Sequence, residues 1–150
     1  MHTRHIIIAG LLIALPATAL AEAPINLLAA TELNAAPSGH FIVVAQINGR
    51  DIKVMVDTGA TAVALSYEDA KAAGLRPGSL EFEVPVATAN GMTKAARVKL
   101  RKVEVDGVKV SDVEGLVLPE GVMRGSLLGM SFLGRLDSFK VEDGILYLKN

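Results

Sequence analysis

Val54-Met55-Val56-Asp57-Thr58-Gly59-Ala60-Thr61 is the stretch on which the fold turns. An apolar strand runs into an acid, a glycine and two hydroxyl residues, and a second apolar run, Ala62-Val63-Ala64-Leu65, follows at once. Asp and Gly are among the commonest turn residues, so an isolated Asp-Thr-Gly reads as an ordinary turn. Between two apolar strands the acid instead emerges from the core, where an unpartnered charge is expensive. Asp57 is thus the side chain whose position calls for a chemical explanation.

The flanks supply the strands. Upstream, Phe41-Ile42-Val43-Val44-Ala45-Gln46 is β-branched and aromatic, Asn48-Gly49 is a tight-hairpin signal, and Ile52-Lys53-Val54-Met55-Val56 leads straight into Asp57. Downstream, Ser66 is placed to cap a short helix with Glu68 and Asp69 in its first turn and Gly74 just past its end. Phe82 to Thr88 reads as extended, Asn90-Gly91 as a second sharp turn, and Arg97 to Leu100 with Val103 to Val105 as half-exposed strand. Asp106-Gly107 and Asp143-Gly144 mark further turns, flanked by Val108-Lys109-Val110, Phe139-Lys140-Val141 and Ile145-Leu146-Tyr147-Leu148. Short strands at close spacing predict an all-β fold, a closed barrel or folded sheet with one or two short helices.

Residues 40–150 form the predicted domain, and the chain of 150 residues is long enough for one core. Glu22 to Gly39 is rich in Ala, carries Pro24 and Pro37, has no sustained period, and is expected to be a tether. Residues 1–21 have the form of a signal peptide: Arg4, an apolar run from Ile6 to Leu15, and the small-x-small sequence Ala19-Leu20-Ala21. The run is shorter than the roughly 20 apolar residues a membrane span needs. The expected product is a periplasmic or secreted chain with no stable membrane span after cleavage.

Composition excludes several chemistries. Charge is nearly balanced, 15 basic against 16 acidic residues, and the one basic cluster, Arg97, Lys99, Arg101 and Lys102, lacks interleaved aromatics, so nucleic acid is not an expected partner. There is no cysteine, and with the leader removed His40 is the sole histidine, with no serine in a nucleophile-elbow pattern. Asp106, Asp112, Glu114 and Asp143 lack the spacing of a calcium loop, and Gly121 to Gly129 lacks a phosphate-loop lysine. No metal or cofactor is expected.

Three segments together resemble the retropepsin-like aspartic peptidases, in particular their small bacterial secreted or membrane-anchored members. Val56-Asp57-Thr58-Gly59-Ala60-Thr61 is similar to the family's active-site loop. Leu127-Leu128-Gly129-Met130-Ser131-Phe132-Leu133 looks like its two-hydrophobics-then-glycine element with the short helix that follows. Val86-Ala87-Thr88-Ala89-Asn90-Gly91 stands where such proteins carry a flap over the substrate. The resemblance implies Asp57 as the catalytic residue, Thr58 and Gly59 as support of its loop, Ala89, Asn90 and Gly91 as flap residues near substrate, and Leu127, Leu128 and Gly129 as packing behind the loop.

Stoichiometry agrees with that resemblance. Carboxylate hydrolysis of a peptide bond needs one group acting as base while another donates to the carbonyl oxygen. This chain has one Asp-Thr-Gly, so a homodimer is expected to supply the second aspartate by twofold symmetry and to act on a polypeptide as an endopeptidase. The apolar run Ile145 to Leu148 would be a hazardous free edge and is expected to pair with its copy in the other subunit. The alternative is a non-catalytic member of the fold that binds peptides or serves envelope assembly, since a fold outlives its activity. An intact Asp-Thr-Gly weighs against it.

Overall fold

The computed structural model describes residues 30–150, so the expected leader at 1–21 lies outside the described residues. Six strands close a barrel: β2 (Ile42–Ile47), β3 (Arg50–Val56), β8 (Ser126–Leu128), β4 (Val63–Leu65), β7 (Val108–Val117) and β6 (Gly91–Val105), which returns to β2. Alternation builds the interior: on β2, Val43, Ala45 and Ile47 point inward while Ile42 and Val44 point out. Most of the core is Val, Ile and Leu from these strands, with Phe132 and Leu133 fully buried on helix α2 (Met130–Leu133). Among the described residues, the all-β barrel with two short helices matches the expectation from sequence.

Three hairpins turn by the same device. Asn48-Gly49, Asp106-Gly107 and Asp143-Gly144 all hold positive φ at both residues, at 52° and 84°, 45° and 85°, and 51° and 75°. That backbone follows the twist of the strands it joins, and Asn, Asp and Gly tolerate it best. Asn48 also closes the barrel. Only Gln46↔Glu104 and Ile47↔Val103 pair β2 with β6, and Asn48 extends this seam by donating its N–H to the Lys102 carbonyl at 2.9 Å and accepting the Arg101 N–H on Oδ1 at 2.8 Å.

Helix α1 (Tyr67–Ala72) starts where the sequence predicted, with the Ser66 hydroxyl accepting from the Asp69 N–H at 3.1 Å and Gly74 beyond its end at φ +83°. Strand β5 (Val84–Thr88) pairs with the first part of β6 as a hairpin that projects from the barrel. Asn90 departs from the expected turn geometry: it is absent from the positive-φ residues, and Gly91 takes that conformation at φ +107°.

Two expectations are corrected at the chain ends. Strand β10 (Ile145–Lys149) does not await a second copy, because β9 (Ser138–Glu142) pairs with one edge and β1 (Ala30–Asn34) with the other. The Asp143-Gly144 turn supplies one neighbour and the N-terminal segment the other. Strand β1 lies inside the stretch read as a tether, so the ordered fold begins before His40. Thr31 and Leu33 stand opposite Leu148 and Leu146, the two β10 side chains that enter the core. Among the described residues no helix is long and apolar enough to cross a membrane.

Candidate active site

Asp57 stands at the end of β3, where the barrel delivers it into a tight loop. The Val56 N–H donates to the Phe41 carbonyl at 2.8 Å and the Asp57 N–H to the Leu128 carbonyl at 3.1 Å, so neighbours on both sides hold the loop's first leg. The loop then folds on its own acid: the Gly59 N–H donates to Oδ1 of Asp57 at 2.8 Å, and the Ala60 N–H to the Asp57 carbonyl at 3.2 Å. A carboxylate that accepts from the chain two residues ahead is fixed in direction without any other side chain. A Cβ on Gly59 would stand 3.1 Å from that same oxygen, tighter than an ordinary contact.

The second leg is braced by the element after β8. The Met130 N–H donates to the Ala60 carbonyl at 2.8 Å, and Ser131 bridges β4 to β7 by accepting the Val63 N–H at 2.9 Å and donating to the Glu114 carbonyl at 2.6 Å. Gly129 allows this approach. A Cβ there would lie 2.2 Å from the Ala62 carbonyl oxygen and 2.7 Å from that of Ala60, both immovable backbone atoms. Its φ of −96° is open to any residue, so proximity rather than backbone conformation demands glycine. Beneath lies a buried hydroxyl pair: Ser126 donates to Asp69 at 2.6 Å and accepts the Ser66 N–H at 3.1 Å, tying β8 to the start of α1.

Above Asp57 opens a cleft of about 880 Å³. Its floor is the outer face of the barrel, where strand registers align Met55, Leu127, Ala64 and Leu116 in one apolar row. The hairpin of β5 and β6 forms one wall and turns at Ala89 and Asn90. Thr88 fixes the tip, its hydroxyl accepting the Asn90 N–H at 3.2 Å and donating to the Gly91 carbonyl at 2.8 Å. The other wall is the Gly121–Arg124 loop.

Of the residues expected from sequence, Asp57, Gly59, Ala89 and Asn90 line this cleft. Thr58 is exposed beside it, and Gly91 sits at the root of the tip without lining it. Leu127 is a correction: Leu128 is buried behind the loop as expected, but Leu127 faces the cleft. Strand alternation would have separated the two, since successive residues cannot both point inward. Val122, Met123 and Arg124 were not anticipated. The basic strand face lies elsewhere, with Arg97 paired to Glu114, and with Lys102 at 2.8 Å from Glu104, holding that carboxyl below its ordinary value of 4.5.

Comparison with known proteins agrees with this geometry. Residues 43–135 match the sequence model of a family described as "gag-polyprotein putative aspartyl protease". Uncharacterized proteins of a Sinorhizobium species and of Rickettsia prowazekii (strain Madrid E) are 41% identical over 113 residues and 40% identical over 110 residues. These alignments take in 75% and 73% of the chain but 48% and 47% of the relatives, so the chain spans about half the length of each. The crystal structure of a retropepsin-like aspartic protease from Rickettsia conorii superposes with a TM-score of 0.73 at 36% identity, covering 81% of this chain and 90% of that one. The family match runs over more than half of the sequence and coincides with the barrel, the Asp57 loop and the hairpin above it; the chain belongs to the retropepsin-like aspartyl protease family.

Proposed function

We propose that the chain is an aspartic endopeptidase that works as a homodimer, with Asp57 of one subunit and Asp57 of the partner subunit sharing one proton around one water. The observation that carries this reading is the Asp57 carboxyl, aimed by the Gly59 N–H at 2.8 Å and lining a cleft bounded by a hairpin. The single Asp-Thr-Gly and the exposed Thr58 next to it support the twofold arrangement.

The chemistry then follows. The ionised carboxylate takes a proton from the water as the water oxygen bonds to the peptide carbonyl carbon, and the protonated carboxyl gives its proton to the carbonyl oxygen. The resulting gem-diol collapses: one hydroxyl proton returns to a carboxylate, the other carboxyl protonates the nitrogen, and the C–N bond breaks. The substrate lies extended along β5, which ends its sheet with one edge unpaired among the described residues and so offers main-chain hydrogen bonds to an added strand. A periplasmic or secreted location is part of the proposal, supported by Arg4, the Ile6 to Leu15 run and Ala19-Leu20-Ala21.

The test is cleavage of a denatured protein at several acidic and neutral pH values by the wild type and by Asp57→Asn. The expected loss is about 10²–10⁴-fold, the span typical of a general acid or base. Cleavage that survives the substitution would overturn Asp57 as the catalytic carboxyl, and cleavage that never appears in the wild type would overturn the peptidase and favour a peptide-binding role for the same cleft.

A further inference from the structure

The cleft carries a charge that the catalytic scheme does not use. Among the described residues, Asp57 and Arg124 are the charged side chains lining it; the rest of its surface is mostly apolar or small, with Met55, Leu116 and Leu127 on the floor and Val122 and Met123 on the wall. Arg124 is exposed and, among the described residues, makes neither an ion pair nor a side-chain hydrogen bond. Arg97 and Arg135 differ, the first paired to Glu114 and the second donating to the Ser111 and Asp112 carbonyls at 2.7 and 3.0 Å. Glu120, on the same loop, does not line the cleft.

Backbone geometry sets where Arg124 is presented. Gly121 at φ +78° and Gly125 at φ +156° bracket Val122-Met123-Arg124, and both values are strained for a side-chain-bearing residue. The three residues between them, two apolar and one cationic, line the cleft.

We infer that Arg124 is a specificity-determining residue that selects an acidic side chain in the bound polypeptide, an inference resting on the peptide-cleft reading above. A guanidinium presents a planar fork of donors matched to a carboxylate, and partial shielding by the cleft walls strengthens the pair relative to one in open water. The same charge repels Lys and Arg, so selection comes from rejection as much as from attraction. The apolar floor takes the alternate side chains of the extended peptide. In a homodimer Arg124 is presented twice, which places an acid preference on both sides of the scissile bond.

The experiment uses short peptide pairs of apolar sequence that differ by Glu against Gln, walked through each position around the cleaved bond. The readout is the Glu/Gln ratio of kcat/KM for the wild type, Arg124→Gln and Arg124→Glu. The expected wild-type ratio is about five- to tenfold at one position or at a symmetric pair, between the worth of an exposed ion pair and that of a shielded charge-assisted hydrogen bond. It should fall towards parity in Arg124→Gln and invert in Arg124→Glu, which repels the Glu peptide. Raising salt from about 0.05 M to about 1 M should shrink the wild-type ratio. A flat ratio at every position, or a ratio unchanged in Arg124→Glu, overturns the assignment while leaving the peptidase intact. Fluorescence anisotropy of the same peptides on Asp57→Asn, with and without Arg124→Glu, reads the preference without catalysis. If the wild type cleaves nothing, the peptidase falls, and Arg124-dependent binding of Glu over Gln peptides still decides for or against the cation.

Discussion

Gly129 shows how one residue holds the Asp57 loop by having no side chain. The Ala60 and Ala62 carbonyl oxygens occupy the space a Cβ would need, and neither can move without displacing the loop that carries Asp57. Gly129→Ala should therefore destabilise the fold by about 1–3 kcal/mol or more, the range for overpacking a filled site. Activity should fall further than stability, because the Met130 to Ala60 hydrogen bond would be broken or displaced. Gly107→Ala, in a hairpin turn outside the cleft, is the control, with open space around its Cβ position and a cost of about 1–2 kcal/mol from positive φ alone. Urea unfolding of both, with cleavage measured under folding conditions, checks the contrast; a Gly129→Ala protein as stable and active as the control would refute the bracing role. Asp57 was legible because its triplet sits between two apolar runs. Arg124 was not, since the segment from Pro119 to Gly125 has no period and its approach to Asp57 is a matter of tertiary folding.

Among the elements, local signals read well and distant pairings did not. Asn48-Gly49, Asp106-Gly107 and Asp143-Gly144 encode their turns in two residues each, and all three appear. Nothing in Ala30 to Asn34 announces that it flanks β10, a partner more than a hundred residues away, because such pairing depends on which apolar face is left uncovered. Likewise Arg97 to Leu100 and Val103 to Val105 read as separate pieces, whereas β6 is one strand from the hairpin tip into the barrel. That continuity has a dynamic consequence. Gly91 to Lys94 pair with β5 alone, while Ala96 to Val105 pair with β7 inside the closed barrel, so the upper part should open far more readily. Amide exchange from Val86 to Lys94 should run faster than from Lys99 to Val105 and should slow when a tight active-site inhibitor binds. Equal protection along all of β6, or no change on adding inhibitor, would exclude a closing hairpin.

For the whole molecule, the decisive matter is how many chains make one site. With β10 enclosed by β1 and β9, that strand pairs within one chain, and the exposed loop around Thr58 is the place we propose for the contact between subunits. A site built from two copies of Asp57 makes activity depend on pairs. In a pre-equilibrated equal mixture of wild type and Asp57→Asn, random pairing leaves about one dimer in four with both aspartates, so activity should fall to about a quarter of the same total protein as wild type. A chain that works alone would retain about half. Dilution adds an independent arm, since specific activity should decline as concentration drops through the dissociation constant. Activity proportional to the wild-type fraction, together with constant specific activity on dilution and a monomer by sedimentation, would sink the shared site. The acid and base of the reaction would then have to come from one chain, and among the described residues no second carboxylate lines the cleft beside Asp57.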